Sequence, residues 1–253
     1  MKADMVAKRI VTTLMLKNGV LFRTKKFFPD YRYTLNFVDM WSVDELVILD
    51  ISRNLSFNDK EKNIFFDKMK KISKNAYIPI TAGGGIRKLS DIEKLLKNGA
   101  DKVIINTASI IDRKIINLAA KEFGSQCIVV CVDAKFENND YHLMQEYGQK
   151  KSSLNLIDYI KEIQDENAGE IFLQSVNKDG SLTGYDNELL EKIHEHINIP
   201  LIISCGAGNW DHVKKILSYE YVSAASLTNI FHFTEKSIIS LKNHINKSIF
   251  IRS

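Results

Sequence analysis

The chain repeats one pattern of strands and helices in its two halves, and this repeat limits the folds open to it. Residues 9–17 and residues 127–135 each form an apolar run that ends in a lysine. Three further pairs of segments match across the halves: residues 45–50 with 170–175, residues 78–87 with 199–208, and residues 100–107 with 221–228. Amphipathic stretches separate these segments. The pattern therefore predicts four strand–helix units in each half and eight in all.

Apolar strands that alternate with helices are typical of a parallel sheet covered on both faces. Eight such units in 253 residues predict an α/β fold, a closed (β/α)8 TIM barrel, whose usual length is about 250 residues. We expect one domain over residues 1–253, with half-barrels at about residues 7–124 and 125–246. An open doubly wound sheet is the alternative, but a repeated half closes naturally around a pseudo-twofold axis.

The composition is that of an ordinary globular chain and excludes several classes of function. Hydrophobic residues are 45% and charged residues 26% of the chain, and the net charge of +4 gives no reason to expect nucleic acid or a membrane surface as a partner. The first residues lack the apolar run of a secretory signal, and the three cysteines indicate reduced thiols, so we expect a cytoplasmic protein. The sequence indicates no cofactor and no metal site, because Cys127 and Cys131 have no second ligand pair at matching spacing.

Polar side chains at strand ends are the catalytic candidates, because barrels of this kind carry their reactive groups at the carboxyl ends of the strands. Asp133 ends an apolar run, where an unpaired buried carboxylate would be costly. Asp50 and Lys17 end two other predicted strands. We therefore predict catalytic roles for Asp133, Asp50 and Lys17. The alternative is that Asp133 only pairs with Lys17 or Lys135.

Glycine clusters at equivalent strand ends predict two phosphate subsites, since glycines let the backbone and a helix N-terminus approach an anion. The first-half subsite comprises Gly83, Gly84, Gly85, Asn106 and Thr107. The second-half subsite comprises Asp179, Gly180, Ser181, Gly206 and Gly208. Two such subsites suit a small molecule with two phosphates, although glycines also mark tight turns.

Two further features concern the ends of the predicted barrel. Arg9, Glu45, Lys102 and Glu170 each begin a predicted strand, and together they could close the barrel floor as a neutral ring of salt bridges. This ring is either a structural plug or a gate on a central passage. Residues 136–153, after the fifth strand, are either a solvated hairpin or a loop that covers substrate.

With these residues identified, the chain resembles the cyclase subunit of imidazole glycerol phosphate synthase over nearly its whole length. The segments that carry the resemblance are residues 7–10, 44–50, 83–86, 99–108, 123–126, 133–135, 179–186 and 231–233. The resemblance implies a barrel of two half-barrels that forms a heterodimer with a glutaminase subunit. It also implies that ammonia passes the floor ring and travels through the barrel core to the upper mouth.

The chain departs from the family pattern at its first strand. The family has one general acid–base aspartate at the end of the first strand and one at the end of the fifth. Asp133 matches the second, whereas Met15 stands in place of the first, and a thioether cannot transfer a proton. In the second half, Cys205 replaces a glycine and Asn229 replaces a serine.

These departures and the Leu-Lys-Asn-Gly run at residues 16–19 resemble a divergent branch that is associated with glycosyl amidation in surface-polysaccharide synthesis. On this hypothesis the barrel delivers glutamine-derived ammonia to a sugar amidotransferase. The alternatives are an authentic histidine-pathway cyclase, in which Asp50 or a water replaces the lost aspartate, and a non-catalytic scaffold for the glutaminase.

Overall fold

Eight parallel strands form a closed barrel in the computed structural model, which describes residues 7–33, 42–52, 60–228, 238–246 and 248–252. The barrel strands are β1 (Arg9–Lys17), β4 (Glu45–Asp50), β5 (Ile80–Gly83), β6 (Lys102–Ile105), β7 (Ile128–Glu137), β10 (Glu170–Ser175), β11 (Leu201–Ser204) and β12 (Ala224–Leu227). Each strand pairs with its neighbours in parallel, and the β7–β10 and β1–β12 pairings close the circle. The predicted (β/α)8 barrel is confirmed, and the open doubly wound sheet is wrong.

From β4 to β12, helices lie between consecutive barrel strands in the alternation that the sequence predicts, and a further helix follows β12. They are α1 (Lys60–Ser73), α2 (Leu89–Lys97), α3 (Thr107–Ile111), α4 (Lys114–Phe123), α5 (Leu156–Asp165), α6 (Asn187–Ile193), α7 (Trp210–Leu217) and α8 (Ile238–Ile245). Their apolar faces join the outward side chains of the strands in one large buried cluster. None of the helices in the described part of the chain is long and apolar enough to span a membrane. Asn229 and the segment at residues 231–233 lie outside the described residues.

A β-hairpin extends the first barrel strand of each half. In the second half, β7 continues into β8 (Asp140–Gln145), which pairs with β9 (Lys150–Lys151), so residues 136–153 contain a hairpin. In the first half, β2 (Val20–Lys25) and β3 (Phe28–Tyr33) extend β1 in the same way. The sequence analysis missed this first hairpin, because its charged residues and Pro29 hide the alternation of a strand. The hairpins extend the internal repeat beyond the barrel strands.

Side chains alternate between the barrel interior and the helices, and this alternation stacks the interior in layers. The charged ring of Arg9, Glu45, Lys102 and Glu170 forms the floor. An apolar layer lies next along the same strands, made by Val11, Val47, Ile104, Val129, Cys131, Phe172, Ile202 and Ala224. Polar residues such as Thr13, Asp133 and Ser226 then line the mouth. A dry layer therefore separates two polar ends.

One boundary differs from the prediction. Cys127 lies in a short 3-10 turn at Ser125–Cys127, ahead of β7, and is only half-buried. The strand begins one residue later at Ile128 because Gly169 donates its backbone N–H to the Ile128 carbonyl and starts the ladder with β10 there. Cys127 is therefore no inward-facing residue of the barrel.

We expect Phe172→Ala to lower the free energy of unfolding by about 3–5 kcal/mol, because the ring is fully buried in the interior layer and its loss leaves a cavity. Urea denaturation followed by circular dichroism measures the change. Phe250→Ala is the matched control: Phe250 is 57% exposed, so the same substitution should stay within about 0.5 kcal/mol of the parent. Equal losses for the two variants would contradict the layered interior.

Candidate active site

A cavity of about 1010 Å³ opens at the carboxyl ends of the barrel strands. It draws its lining from both halves of the chain, which agrees with a mouth shared by two half-barrels. The predicted site residues that line it are Asp50, Gly84, Gly85, Asn106, Thr107, Asp133, Asp179, Gly180 and Gly206. Its volume is at the upper end of the range for small-molecule sites, so a substrate with two phosphates has enough room.

Asp133 projects from β7 into this cavity and is almost completely buried. Its carboxylate accepts hydrogen bonds from the Asn106 amide nitrogen at 2.8 Å and from the Cys131 thiol at 3.3 Å. Burial raises the pKa of Asp133 from 3.8 to about 6, although these two hydrogen bonds lower it. A carboxyl with such a pKa accepts and releases protons near neutrality, as a general acid–base group requires.

The alternative, in which Asp133 only pairs with Lys17 or Lys135, is wrong. Lys17 is exposed and does not line the cavity, because β1 continues past the mouth into its hairpin with β2, where Lys17 pairs with Val20. Lys135 points away along the other hairpin and forms a salt bridge with Glu137 at 3.0 Å. The predicted catalytic role of Lys17 therefore lacks the position that it requires.

Asp50 lies at the edge of the cavity but is already committed to a buried ion pair. Its carboxylate is 2.6 Å from the Lys62 ammonium on α1 and also accepts the backbone N–H of Ser52 at 3.0 Å. Lys62 in turn donates to the Gly84 carbonyl at 2.8 Å. Asp50 therefore fastens α1 and the first glycine loop to β4, and this arrangement favours a positioning role over a catalytic one.

The first-half phosphate subsite is only partly as predicted. Gly84 and Gly85 line the cavity, whereas Gly83 does not: a Cβ there would lie 2.4 Å from the Ile104 carbonyl oxygen, so strand packing accounts for that glycine. Asn106 directs its amide nitrogen to Asp133. The exposed side chains of Arg87 and Lys88 follow the loop and add positive charge that the sequence analysis missed.

The side-chain oxygens of Asn106 and Thr107 differ in whether they already accept a hydrogen bond. The Asn106 side-chain oxygen is buried and has no hydrogen-bond partner within the described ranges. A buried acceptor of this kind is costly unless a donor reaches it, so a ligand N–H or O–H suits the position better than a phosphate oxygen. The Thr107 hydroxyl accepts the Glu146 backbone N–H at 3.3 Å, which ties the β8 hairpin to the first-half loop.

The second-half subsite differs more strongly from the prediction. Gly180 and Gly206 line the cavity, but Ser181 and Gly208 do not. The Ser181 hydroxyl lies 3.0 Å from the Thr183 hydroxyl, and a Cβ at Gly208 would lie 2.0 Å from the Leu182 carbonyl oxygen. Local turn structure accounts for both residues, and the predicted phosphate contacts of Ser181 and Gly208 are therefore wrong in position.

Cys205 occupies a backbone conformation that favours glycine. Its φ of 75° places it in the left-handed region, as does the φ of 108° at Gly84, the matching residue of the first half. Such a conformation costs a residue with a side chain about 1–2 kcal/mol. The Cys205 thiol also lines the cavity where the first half has open backbone. The second-half loop therefore presents a cysteine side chain to an anion where the first-half loop presents only glycine backbone.

Buried Cys131 and half-buried Cys205 lie near Asp133 and remain neutral. Burial raises the pKa of the Cys131 and Cys205 thiols well above the ordinary value. The Cys131 sulfur lies 3.3 Å from both the Asp133 carboxylate and the Gln174 side-chain oxygen, and its one hydrogen donates to either of them, so Cys131 orders the mouth in addition to packing the core. Across the ranges given above, no group of three or more His, Cys, Asp or Glu side chains is arranged to hold a metal ion.

Met15 lies at the level of the mouth on β1 and lines the cavity, as the alignment of the repeats predicts. The Thr24 hydroxyl of β2 lies 3.4 Å from its sulfur and also hydrogen-bonds to the Asp179 carboxylate. Asp179 is buried, and burial raises its pKa above the ordinary value. An acidic group therefore approaches the first-strand position from the loop after β10.

Sequence reasoning missed several residues of the mouth. The missed lining residues include Thr24, Phe27, Arg87, Lys88, Glu146, Tyr147, Gln149 and Gln174. Alternation along β10 could have found Gln174, because Glu170, Phe172 and Gln174 share one face, whereas Ser175 points outward to Asp186 at 2.5 Å. Thr24, Phe27 and Glu146 come from the tips of the hairpins, where no local signal marks an inward side chain.

The floor ring closes as predicted. The Arg9 guanidinium contacts Glu45 at 2.7 Å and also Glu170, and the Lys102 ammonium contacts Glu45 at 3.2 Å and Glu170 at 3.0 Å. Burial lowers the pKa of Arg9, but the two carboxylates outweigh it, so the net pKa is raised. Thr81 donates a further hydrogen bond to Glu45 at 2.8 Å. The alternating charges neutralise one another at the narrow end of the barrel.

Comparison with known proteins gives one consistent result. A family model described as "Histidine biosynthesis protein" matches residues 4–237. The chain is 36% identical to imidazole glycerol phosphate synthase subunit HisF of Natranaerobius thermophilus, covering 96% of this chain and 97% of the relative. It is 38% identical to the protein of that name from Flavobacterium psychrophilum (98% and 100% covered) and 37% identical to that from Sulfolobus acidocaldarius (96% and 98%). These names match the synthase expectation, and none mentions polysaccharide amidation.

We expect Asp133→Asn to stabilise the fold by about 1–3 kcal/mol at pH 7–8. Because the folded-state pKa of about 6 exceeds the ordinary 3.8, the native state binds the extra proton between these values, and stability falls as the pH rises through that window. The gain should therefore vanish near pH 3.5. Urea unfolding at several pH values measures it.

Asp186→Asn is the control for this prediction. Asp186 is buried outside the cavity and accepts hydrogen bonds from Tyr141, Ser175 and Leu189. Its replacement should destabilise the fold by about 1–3 kcal/mol, because buried donors lose their acceptor. The raised pKa of Asp133 would be refuted if the difference in free energy of unfolding between Asp133→Asn and the parent did not change with pH.

Proposed function

Because the chain belongs to the histidine biosynthesis protein family, we propose that it is the ammonia-using barrel subunit of a glutamine amidotransferase. In this proposal a glutaminase subunit binds beneath the floor ring as a heterodimer. Ammonia passes through the barrel core and reacts at the mouth with a phosphorylated small molecule. All of this takes place in a single domain of two half-barrels, over about residues 7–124 and 125–246.

The layered interior supports the route for ammonia. A charged ring at the floor and an acidic mouth lie on opposite sides of an apolar layer that excludes water. Neutral ammonia crosses such a layer far more easily than ammonium does, because burying an unpaired charge is costly. The exposed ring of Tyr77, which precedes β5 at the floor end, gives a docking partner an aromatic contact of the kind that anchors interfaces.

The chemistry of the mouth supports ammonia as a reactant there. Asp133 is a buried carboxylate whose pKa of about 6 suits proton exchange with nitrogen. The unpartnered Asn106 oxygen beside it accepts a donor N–H. The backbone of Gly84 and Gly85, with Arg87 and Lys88, supports phosphate binding in the first half of the mouth.

The single observation that carries the finer proposal is Met15 at the end of β1. Without an acid at that strand end, the barrel lacks one of the two aspartates with which the family closes an imidazole ring. We therefore propose that this chain delivers ammonia for the amidation of a sugar in surface-polysaccharide synthesis, together with a sugar amidotransferase. Cys205 in the second-half loop supports the same divergence from a two-phosphate substrate.

The second candidate is the histidine-pathway cyclase itself. The printed names of the relatives favour it over amidation. Asp50 is a poor replacement for the missing acid, because Lys62 holds its carboxylate at 2.6 Å. Asp179 is a better one, since Thr24 links its carboxylate to Met15. A non-catalytic scaffold is the third candidate, and it differs from both in requiring no proton transfer at Asp133.

Two assays separate the candidates. In the ring-closure assay, the purified chain is given the ribulosyl aminoimidazole precursor and an ammonium salt. In the glycan assay, mass spectrometry measures sugar amidation in a strain that lacks the gene and carries a plasmid copy. We expect ring closure to be slower than in an authentic cyclase by about 10²–10⁴-fold, the usual cost of a lost acid or base, and glycan amidation to be restored. Normal ring closure would reverse this conclusion.

Asp133→Asn in the glycan assay tests the scaffold. If Asp133 exchanges protons, amidation should fall by about 10²–10⁴-fold. Unchanged amidation, with the complex intact by gel filtration, would favour the scaffold.

The floor ring gives a further prediction. Lys102→Glu replaces a cation that contacts both Glu45 and Glu170 with a third carboxylate, so that Arg9 then faces three negative charges. In the complex with a glutaminase subunit, we expect glutamine-driven product formation to fall by about ten-fold or more, while ammonium-driven formation stays within about two-fold. Lys97→Glu, on the exposed face of α2, is the matched control. Equal losses with glutamine and with ammonium would contradict a gate at the floor.

A further inference from the structure

We infer that Asp179 is the second acid–base group of the mouth and forms a working pair with Asp133 in place of the missing first-strand acid. This inference rests on the proposed reaction of ammonia at the mouth. It moves the pair from opposite halves of the barrel to the second half alone. It also reassigns Asp179, which the sequence analysis placed in a phosphate subsite.

Asp179 is built into the mouth from two directions. It follows β10 in the chain, and the tip of the β2–β3 hairpin folds over it. Its carboxylate accepts the Phe27 backbone N–H at 2.8 Å, and its carbonyl accepts the Lys26 N–H at 3.2 Å. The side chain is 7% exposed and lines the same cavity as Asp133. A carboxyl group in this position is fixed in orientation but still faces the reactants.

Thr24 connects Asp179 to the first-strand position. Its hydroxyl lies 3.4 Å from the Met15 sulfur and hydrogen-bonds to the Asp179 carboxyl group. A hydroxyl has one hydrogen, so it donates either to the sulfur or to an ionised Asp179. When it donates to the sulfur, its oxygen is free to accept from a protonated Asp179. Asp179 is therefore connected to the Met15 position through a single side chain, that of Thr24.

The electrostatics of the mouth favour one proton shared between the two carboxyl groups. Burial raises the pKa of both Asp133 and Asp179, and the charge of Asp179 raises the pKa of Asp133 further. Two neighbouring carboxyls that disfavour joint ionisation divide into one acid and one base. The nearby thiols of Cys131 and Cys205 stay neutral, because burial raises their pKa values. The cations that line the cavity, Arg87 and Lys88, are exposed.

A phosphate ligand is a poor alternative role for Asp179. Ionised carboxylate and phosphate repel each other, and the backbone N–H of Phe27 already uses one carboxylate oxygen. A purely structural clamp on the hairpin is the other alternative. Asparagine would serve that purpose equally well, because its oxygen also accepts the Phe27 N–H. Asp179→Asn therefore distinguishes an acid–base role from a structural one.

The pair accounts for both protons when ammonia condenses with a carbonyl carbon. As the C–N bond forms, the π electrons move to oxygen, ionised Asp179 takes a proton from nitrogen, and neutral Asp133 gives its proton to oxygen. In the second step Asp179 returns its proton to the hydroxyl, which leaves as water. The nitrogen lone pair forms the C=N bond, and Asp133 takes the remaining proton from nitrogen. The net change is carbonyl plus ammonia to imine plus water.

Asp179→Asn and Met15→Asp, alone and combined, test the pair in whichever of the two assays the parent supports. Asp179→Asn keeps the hairpin contact but removes the carboxylate that exchanges the proton, so we expect activity to fall by about 10²–10⁴-fold. Met15→Asp in the Asp179→Asn background restores a carboxyl group on the other side of Thr24. We expect the double variant to be about ten times or more as active as Asp179→Asn alone. Unchanged activity in Asp179→Asn would overturn the inference, as would an inactive double variant whose far-ultraviolet dichroism is normal.

A titration of Asp133 checks the coupling without any substrate. Carbon-13 NMR of the labelled carboxyl should show a lower pKa for Asp133 in Asp179→Asn than in the parent, because a neighbouring negative charge is removed. An unchanged pKa would overturn the pairing. Should the parent support neither assay, the proposed function fails, and the titration still decides whether the two carboxyl groups act on one another.

Discussion

Closure of the parallel sheet through the pairing of β7 with β10 is the constraint on which the rest of the molecule depends. In a closed sheet every second side chain must point inward, and the inward positions of neighbouring strands meet at the same height. A charge at the start of a strand therefore joins the floor ring, an apolar residue two positions later joins the dry layer, and a polar residue beyond it reaches the mouth. The same strands therefore carry the residues that stabilise the barrel and the residues of the candidate site, at different levels along the barrel axis.

The dry layer sets the electrostatics of both ends. At the floor, two cations meet two carboxylates, so four charges are buried without a net charge. At the mouth, no cation of the described segments contacts Asp133 or Asp179, and burial raises the pKa of each. The floor is thus a stable neutral seal, whereas the mouth carries a cost in stability that keeps its carboxyl groups ready to exchange protons. This contrast supports the proposed passage of ammonia from the floor to the mouth.

The departures from the family pattern are concentrated at the mouth. Met15 removes an acid from the first half, and Cys205 takes a glycine conformation in the second. The floor ring keeps all of its salt bridges, and every barrel strand pairs with both of its neighbours. A barrel that keeps its floor and changes its mouth suits a new acceptor for the same small nucleophile. The hairpins after β1 and β7 bring Thr24 and Glu146 to the cavity, so substitutions in these hairpins also change its lining.

The sequence by itself determined the eight strands, the floor ring, Asp133 as an inward carboxyl and the absence of an acid at Met15. Each of these follows from periodicity within a strand or from the match between the halves, and both are local properties of the chain. Only the tertiary structure decided that Lys17 leaves the mouth, that Lys62 holds Asp50, and that Asp179 meets Thr24 and Phe27. Those contacts join segments far apart in the chain, 152 residues in the case of Phe27 and Asp179, and no local pattern specifies which side chains a folded hairpin will bring together.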